Sequence, residues 1–202
     1  MFAIEACRAI AAARQNLCPK APLIATMTGM HAFDNLEVLD DYRLDSVPLM
    51  GGSRGLGLGI ALAQPNTTVI VVDGDASLLL ELGSLVTVAN AKPANFVHFL
   101  MHNNTQFTSI VNFPTAATEP DCDFASMAKS AGYQHVHVIT NVEQLAAELP
   151  QILTQGGATF VDLRVVSPPA RVTPETPQPL LTEFQFVRMG EGIAKLRQAY
   201  SQ

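Results

Sequence analysis

Two short stretches hold the residues best suited to chemistry, Gly74-Asp75-Ala76-Ser77 and His102-Asn103-Asn104. Asp75 offers a hard carboxylate oxygen and Asn103 a hard side-chain carbonyl oxygen, the donor types magnesium prefers. The first stretch follows TTVIVVD (67–73), whose β-branched apolar run suits a strand buried on both faces. It leads into an apolar helix expected over residues 78–89. A turn between strand and helix presents backbone N–H groups, which suits a phosphate. The second stretch closes another apolar run, residues 96–101. Asp75 and Asn103 lie 28 positions apart, about the length of one helix and one strand. If the two strands are parallel neighbours, both residues stand at the same carboxyl edge, where α/β sheets bind ligands. Magnesium takes few protein ligands and fills its octahedron with water and phosphate oxygens. The pattern therefore points to a diphosphate held through a metal.

The remaining chain must supply the scaffold for these turns. Residues 2–16 read as an alanine-rich helix stopped by Pro19 and Pro22. Residues 23–26 read as a short strand, 28–50 as loops with one short helix, and 52–63 as a glycine-punctuated loop feeding a helix. Residues 104–120 lack periodicity and carry two prolines, so they form a long loop of the kind that is usually functional. A helix follows at 124–131, a strand at 136–139, a helix at 142–153 and a strand at 159–165. Residues 167–179 hold five prolines and look like a linker. Residues 182–199 form a last helix. Alternating strands and helices predict an α/β fold, a doubly wound parallel sheet with helices on both faces. Residues 1–202 are expected to form a single domain with its core over about 20–165.

Composition narrows the function. Hydrophobic residues make up 48% and charged residues 15%, apolar enough that a homo- or hetero-oligomeric partner is expected to cover part of the surface. The net charge is −6 and no basic stretch is present, which argues against nucleic acid. No apolar run is long enough to span a membrane. Cys7, Cys18 and Cys122 do not make a disulfide framework, so a reducing cytoplasm is expected. Glu5, Arg8 and Arg14 at helical intervals make the first residues an amphipathic helix rather than a signal peptide.

Gly74-Asp75-Ala76-Ser77 followed by Asn103-Asn104 resembles the thiamine diphosphate motif, which opens Gly-Asp-Gly and closes on Asn. The stretch SLLLELGSLVTVANAKPANFVHFLMHNN is similar to sulfopyruvate decarboxylase β subunits and phosphonopyruvate decarboxylases. Met50-Gly51 and the helix at 58–63 resemble the Met-Gly stretch of those enzymes and its succeeding helix. The likeness covers about residues 20–165. It implies a thiamine diphosphate and Mg2+ site in a nonoxidative 2-oxo-acid decarboxylase acting on a small acidic 2-oxo acid. Asp75, the Asn103 side chain and the Thr105 backbone carbonyl would ligate the metal. Gly74, Ala76 and Ser77 would meet the diphosphate, with Gln106 and Phe107 at the closing end of the motif. Met50, beside Gly51, would bend the cofactor into a V, and the Pro48 carbonyl would accept from its aminopyrimidine. Thr28, Gly29 and His31 fall where relatives place phosphate contacts.

Departures from the pattern fall into two groups. Ala76 stands where the motif has Gly, a change that a negative φ tolerates. Ala32-Phe33-Asp34-Asn35-Leu36 replaces a Ser-Arg-Glu-Leu stretch, and Thr108-Ser109-Ile110-Val111-Asn112 replaces a Gly-Gly-Gln stretch. Both replacements fall where substrate should sit. The activating glutamate of such enzymes belongs to a pyrimidine-binding domain, and Glu5, Glu37, Glu81 and Glu119 lie in nothing resembling one. The likeness therefore implies a separate pyrimidine-binding α subunit.

Other readings compete. The 51–57 stretch, GGSRGLG, matches the glycine turn of short-chain dehydrogenases, and Asp73 falls where a ribose-binding acid belongs. Against this NAD(P)-binding reading, residues 43–49 make a poor strand. No tyrosine has a lysine four residues on, and the Asp75–Asn103 pattern is left unexplained. A non-catalytic or degenerate thiamine diphosphate binder is a third reading. Asp75 and Asn103 could instead cap helices, and Met50 could fill the core. His98, His135 and His137 suit structural roles, while His102 either lines the site or faces solvent.

Overall fold

The computed structural model describes residues 1–46, 49–116, 121–172, 175 and 184–201. In chain order, α1 (Ala3–Leu17) precedes β1 (Leu23–Ala25), α2 (Met27–Asn35) and β2 (Arg43–Asp45). Then come α3 (Ser53–Ala63), β3 (Val69–Gly74), α4 (Asp75–Leu80), α5 (Ser84–Ala91) and β4 (Asn95–His102). A small hairpin, β5 (Thr105–Gln106) and β6 (Phe113–Pro114), leads to α6 (Phe124–Ala131), β7 (His135–Ile139), α7 (Val142–Thr154), β8 (Gly157–Arg164) and α8 (Phe184–Tyr200).

Six strands form one sheet in the order β2-β1-β3-β4-β8-β7, with every pairing parallel. Alternate strand residues feed opposite cores, because successive side chains of a strand point to opposite faces. Ile70 and Val72 join Val97 and Phe99 against Ile10 of α1, Phe33 of α2 and Leu149 of α7. Val69 and Val71 join Phe96 and Leu100 against Leu58 of α3, Leu85 of α5 and Phe124 of α6. Two buried faces explain the unbroken apolar runs in the sequence. The doubly wound architecture is as predicted, and no described helix is long and apolar enough to cross a membrane.

Three local expectations are corrected. Residues 28–50 hold a strand as well as a helix: β2 pairs with β1, Leu23 opposite Arg43 and Ala25 opposite Asp45. Charged residues at both of its ends hid it, yet both are buried and bonded to each other, Arg43 Nε donating to Asp45 Oδ1 at 3.0 Å. The helix predicted at 78–89 starts at Asp75 and divides into α4 and α5 around Glu81, Leu82 and Gly83. The loop at 104–120 contains the β5/β6 hairpin.

Candidate functional site

Neighbouring strands β3 and β4 run in register to Gly74 opposite Met101. Asp75, the first residue of α4, therefore stands beside the exit of β4. Its side chain is buried, and Oδ2 accepts from the Asn103 N–H at 3.0 Å and from the Asn104 N–H. Oδ1 accepts from the Ala76 N–H at 2.7 Å. Burial pushes the Asp75 carboxyl pKa up, opposed by the N–H groups of Asn104 and Ala76. Among the described residues, no lysine or arginine pairs with it. Its hydrogen bonds among these residues all come from backbone N–H groups, with the His102 imidazole near enough to act on its charge, and a buried carboxylate so placed suits a hard cation.

Asn103 stands next to it. Its Oδ1 accepts from the Thr105 N–H at 2.9 Å and the Thr105 hydroxyl at 3.1 Å, and its Nδ2 donates to the Thr108 hydroxyl at 2.9 Å. The structure thus brings together the three expected ligands, Asp75, Asn103 and Thr105. Neither Asp75 nor Asn103 is a helix N-cap; Gly74 holds that position on α4. Oxygen donors with a single carboxylate suit magnesium. Among the described residues there is no cluster of three His, Cys, Asp or Glu of the kind other metals need.

The loop beyond Asn103 is held in costly backbone. Asn104, Phe107, Ser109 and Asn112 all have φ between 52° and 61°, at about 1 kcal/mol or more apiece. Hydrogen bonds offset this. The Asn104 carbonyl accepts from Thr115 N, and the Phe107 carbonyl from the N–H groups of Ile110, Val111 and Asn112. The proline-rich segment supplies more: Ser167 bonds the Thr105 hydroxyl, Asn112 Nδ2 donates to the Pro168 carbonyl, and Arg171 bonds Ser109. Residues 167–172, the described start of the proline-rich stretch, therefore lie as a strap on the site loop; positions 173–174 and 176–179 of the expected linker lie outside the described residues. Proline cannot join a ladder as a donor, yet its carbonyl still accepts.

His102 lines the back of the site and does not face solvent. Its Nδ1 meets Asp162 Oδ1 at 2.9 Å and its Nε2 meets Asn104 Oδ1 at 3.0 Å. Burial pulls the His102 pKa down, but the hydrogen bond and charge of Asp162 outweigh it and leave it raised. Arg164 joins Asp162 to Asp121, which accepts from Asn104 Nδ2 at 3.1 Å. Asp162, Arg164 and Asp121 carried no signal in the sequence, since only the pairing of β4 with β8 brings them there.

The second wall is the turn at Met50-Gly51. The Gly51 N–H donates to Ser77 Oγ at 2.8 Å, joining the two turns directly. Gly51 has φ +89°, and a Cβ there would lie 2.7 Å from Glu81 Cγ, so only glycine fits. Met50 is half-buried beside it. Pro48 lies outside the described residues. Ala76 lies within the first turn of α4 and is not among the positive-φ residues, so the missing motif glycine costs no strain.

Thr28, Gly29 and His31 occupy the start of α2, not a loop. Gly29 packs against the sheet, where a Cβ would lie 2.8 Å from Val72 Cγ1. His31 is exposed, and among the described residues no hydrogen bond joins Thr28, Gly29 or His31 to the Asp75–Asn103 pair. Gln106 and Phe107 are exposed on the hairpin, with the Phe107 ring edge-on to Phe113 at 6.2 Å. His98 is wholly buried beside Phe160, and His137 meets Glu148 at 2.8 Å, both away from the ligands.

Asp73 decides against a nicotinamide site. Its carboxylate is fully buried and paired with Arg54, so no ribose can reach it. The objection that residues 43–49 make a poor strand does not hold, because β2 places a strand before Gly51.

The family model for the C-terminal TPP-binding domain of thiamine pyrophosphate enzymes matches residues 26–163. The chain belongs to this family. This thiamine pyrophosphate enzyme domain is 33% identical over 149 residues to phosphonopyruvate decarboxylase of Streptomyces viridochromogenes, covering 73% of the chain but 36% of that protein. It is 35% identical over 117 residues to sulfopyruvate decarboxylase subunit beta of Methanothermobacter thermautotrophicus, covering 57% of the chain and 58% of the subunit. The chain thus spans well under two thirds of either relative. Benzoylformate decarboxylase of Polynucleobacter necessarius superposes with a TM-score of 0.63 at 15% identity, over 86% of this chain and 34% of that one. A 2-oxoglutarate:ferredoxin oxidoreductase from Magnetococcus marinus gives 0.62 at 15% identity, over 92% and 66%. At such identity these solved structures share the thiamine pyrophosphate enzyme fold.

Proposed function

We propose that this chain holds thiamine diphosphate through Mg2+ and, with a pyrimidine-binding α subunit, decarboxylates a small acidic 2-oxo acid of the sulfopyruvate or phosphonopyruvate type. The observation that carries the reading is the buried Asp75 carboxylate, paired with no described lysine or arginine and set beside Asn103 and Thr105. Asp75, the Asn103 carboxamide and the Thr105 carbonyl would hold the ion. The turn 74–77 would take the diphosphate, and Met50 with Gly51 would support the cofactor from the other wall. Bound thiamine diphosphate supplies the nucleophilic carbon and the electron sink for loss of carbon dioxide. The chain's own task is to hold that group at one angle.

Support for the reaction class comes from the relatives, which are decarboxylases, and support for a second polypeptide from those named as β subunits. The described cysteines are free thiols, which accords with a cytoplasmic setting. A second reading, a cofactor binder without turnover, is favoured by the departures at 32–36 and 108–112. Calorimetric titration with thiamine diphosphate, with and without Mg2+, tests the first claim. Wild type should bind only with the metal, and Asp75→Ala should abolish binding; metal-independent binding or none at all would overturn it. Adding a candidate α subunit and following carbon dioxide release from sulfopyruvate and phosphonopyruvate then separates the enzyme from the binder.

A further inference from the structure

Arg54 and Asp73 are both fully buried and form an ion pair beneath the cofactor turns. Such pairs cost desolvation, and a hydrophobic pair of similar volume is often as stable. The contacts of Arg54 show what an apolar replacement could not do. Its Nη1 bonds Asp73, and its Nε donates to the Ser84 hydroxyl. Its Nη2 reaches the Gly51 carbonyl at 3.4 Å and the Glu81 carbonyl at 3.3 Å. The other Asp73 oxygen accepts from the Gly74 N–H at 2.9 Å. One guanidinium therefore meets the turn at Gly51, the end of β3, the residue that caps the far end of α4, and the start of α5. Helix α4 has six residues, too few to hold its own geometry, and its first residue is Asp75.

We propose that Arg54 is a positioning residue: it sets the spacing between the Met50-Gly51 turn and the turn 74–77, and so the geometry of the site for thiamine diphosphate and its metal. The proposal rests on the cofactor reading above. Arg54 bonds none of Asp75, Asn103 and Thr105; it acts through Gly51, through Asp73 on Gly74, and through the end of α4. The rigid fork of donors is what the task requires. A lysine keeps the charge but, with a single ammonium, cannot span these four segments. Burial lowers the Arg54 pKa to about 10, so the guanidinium remains charged at neutral pH.

The test uses the 202-residue chain with Arg54→Lys, Arg54→Ala and Asp73→Asn. Circular dichroism and thermal melts establish which variants are folded at the working temperature. Calorimetry with thiamine diphosphate and Mg2+ then measures affinity. Folded Arg54→Lys should lose about 10–100-fold in affinity, the usual loss when a group that orients a site is removed. Low-millimolar methylguanidinium should restore part of the affinity of Arg54→Ala but not of Asp73→Asn, a rescue that stability alone would not produce. Binding by Arg54→Lys within about twofold of wild type, well below the usual loss, would overturn the proposal while leaving the cofactor reading intact. Failure of the wild type itself to bind would instead overturn the cofactor reading and this proposal with it. Should Arg54→Lys not fold, absence of methylguanidinium rescue in Arg54→Ala overturns the proposal.

Discussion

At the scale of single residues, burial decides which polar groups are fixed and which are available. His98 is wholly buried with no hydrogen-bond partner at either ring nitrogen among the described residues. Burial holds its pKa well below the ordinary value, with the Arg54 charge adding to the shift. The unfolded chain binds a proton near pH 6.5 that the folded chain refuses. The contribution is therefore full above that pH and declines as pH falls below it, by about 1.4 kcal/mol per pH unit. His102 acts in the opposite sense, since its folded pKa is raised and its contribution is lost as pH rises through that value. Urea melts of wild type and His98→Phe between pH 5 and 7.5 isolate the first effect. The stability advantage of the variant should grow as pH falls, and a constant difference would count against a neutral buried imidazole. Asp162 presents a different case. It is fully buried between His102 and Arg164, so Asp162→Ala should cost about 3 kcal/mol by stranding its partners. Denaturant melts measure this.

At the scale of elements, β2 shows how pairing rescues a segment that its own residues argue against. Arg43 bonds Asp34 and Asp45, and it donates to the carbonyls of Val38 and Met30. Asp45 also meets Arg188 of α8, and Gly192 of that helix packs on Leu44. Asp45→Ala should therefore destabilise by about 3 kcal/mol, because it leaves a buried guanidinium underpaired. The more exposed Arg188→Ala should cost under about 1 kcal/mol. Equal losses in denaturant melts would mean that burial does not separate the two. The strap at 167–172 belongs to this scale too. Ser167→Ala removes one hydroxyl bond to Thr105, worth about 1 kcal/mol. Hydrogen exchange should quicken over residues 104–112 and remain unchanged in α7.

At the scale of the whole molecule, the two cores on either side of the sheet predict uneven thiol reactivity. Cys7 lies in the core under α1, and burial pushes its thiol up to about 12. Iodoacetamide at pH 8 should label the half-buried Cys122 in the native protein and spare Cys7, while urea should expose all three. Native labelling of Cys7 would mean that α1 opens readily. The same scale explains why the candidate site residues were legible in the sequence and their supports were not. Asp75 and Asn103 belong to one strand-helix-strand unit, so their distance along the chain encodes their distance in space. His102, in the same unit, was visible only as a neighbour of Asn103. Its partner Asp162 lies on β8, which enters the sheet beside β4 only after the chain has passed through α6, β7 and α7.

Residue types and spacing by themselves determined the parallel α/β architecture and the two turns, at Asp75 and at Asn103, that stand together at its carboxyl edge. Each of these rests on local rules: apolar runs make buried strands, and a helix between two strands makes them parallel neighbours. Tertiary structure alone decided the rest. It turned Asp73 inward onto Arg54, seated β2 despite its charges, and laid residues 167–172 on the site loop. It also joined the Met50-Gly51 wall to the turn 74–77 through Ser77. Those outcomes depend on which charges find partners once water is excluded, and that pairing is made by segments far apart in the chain.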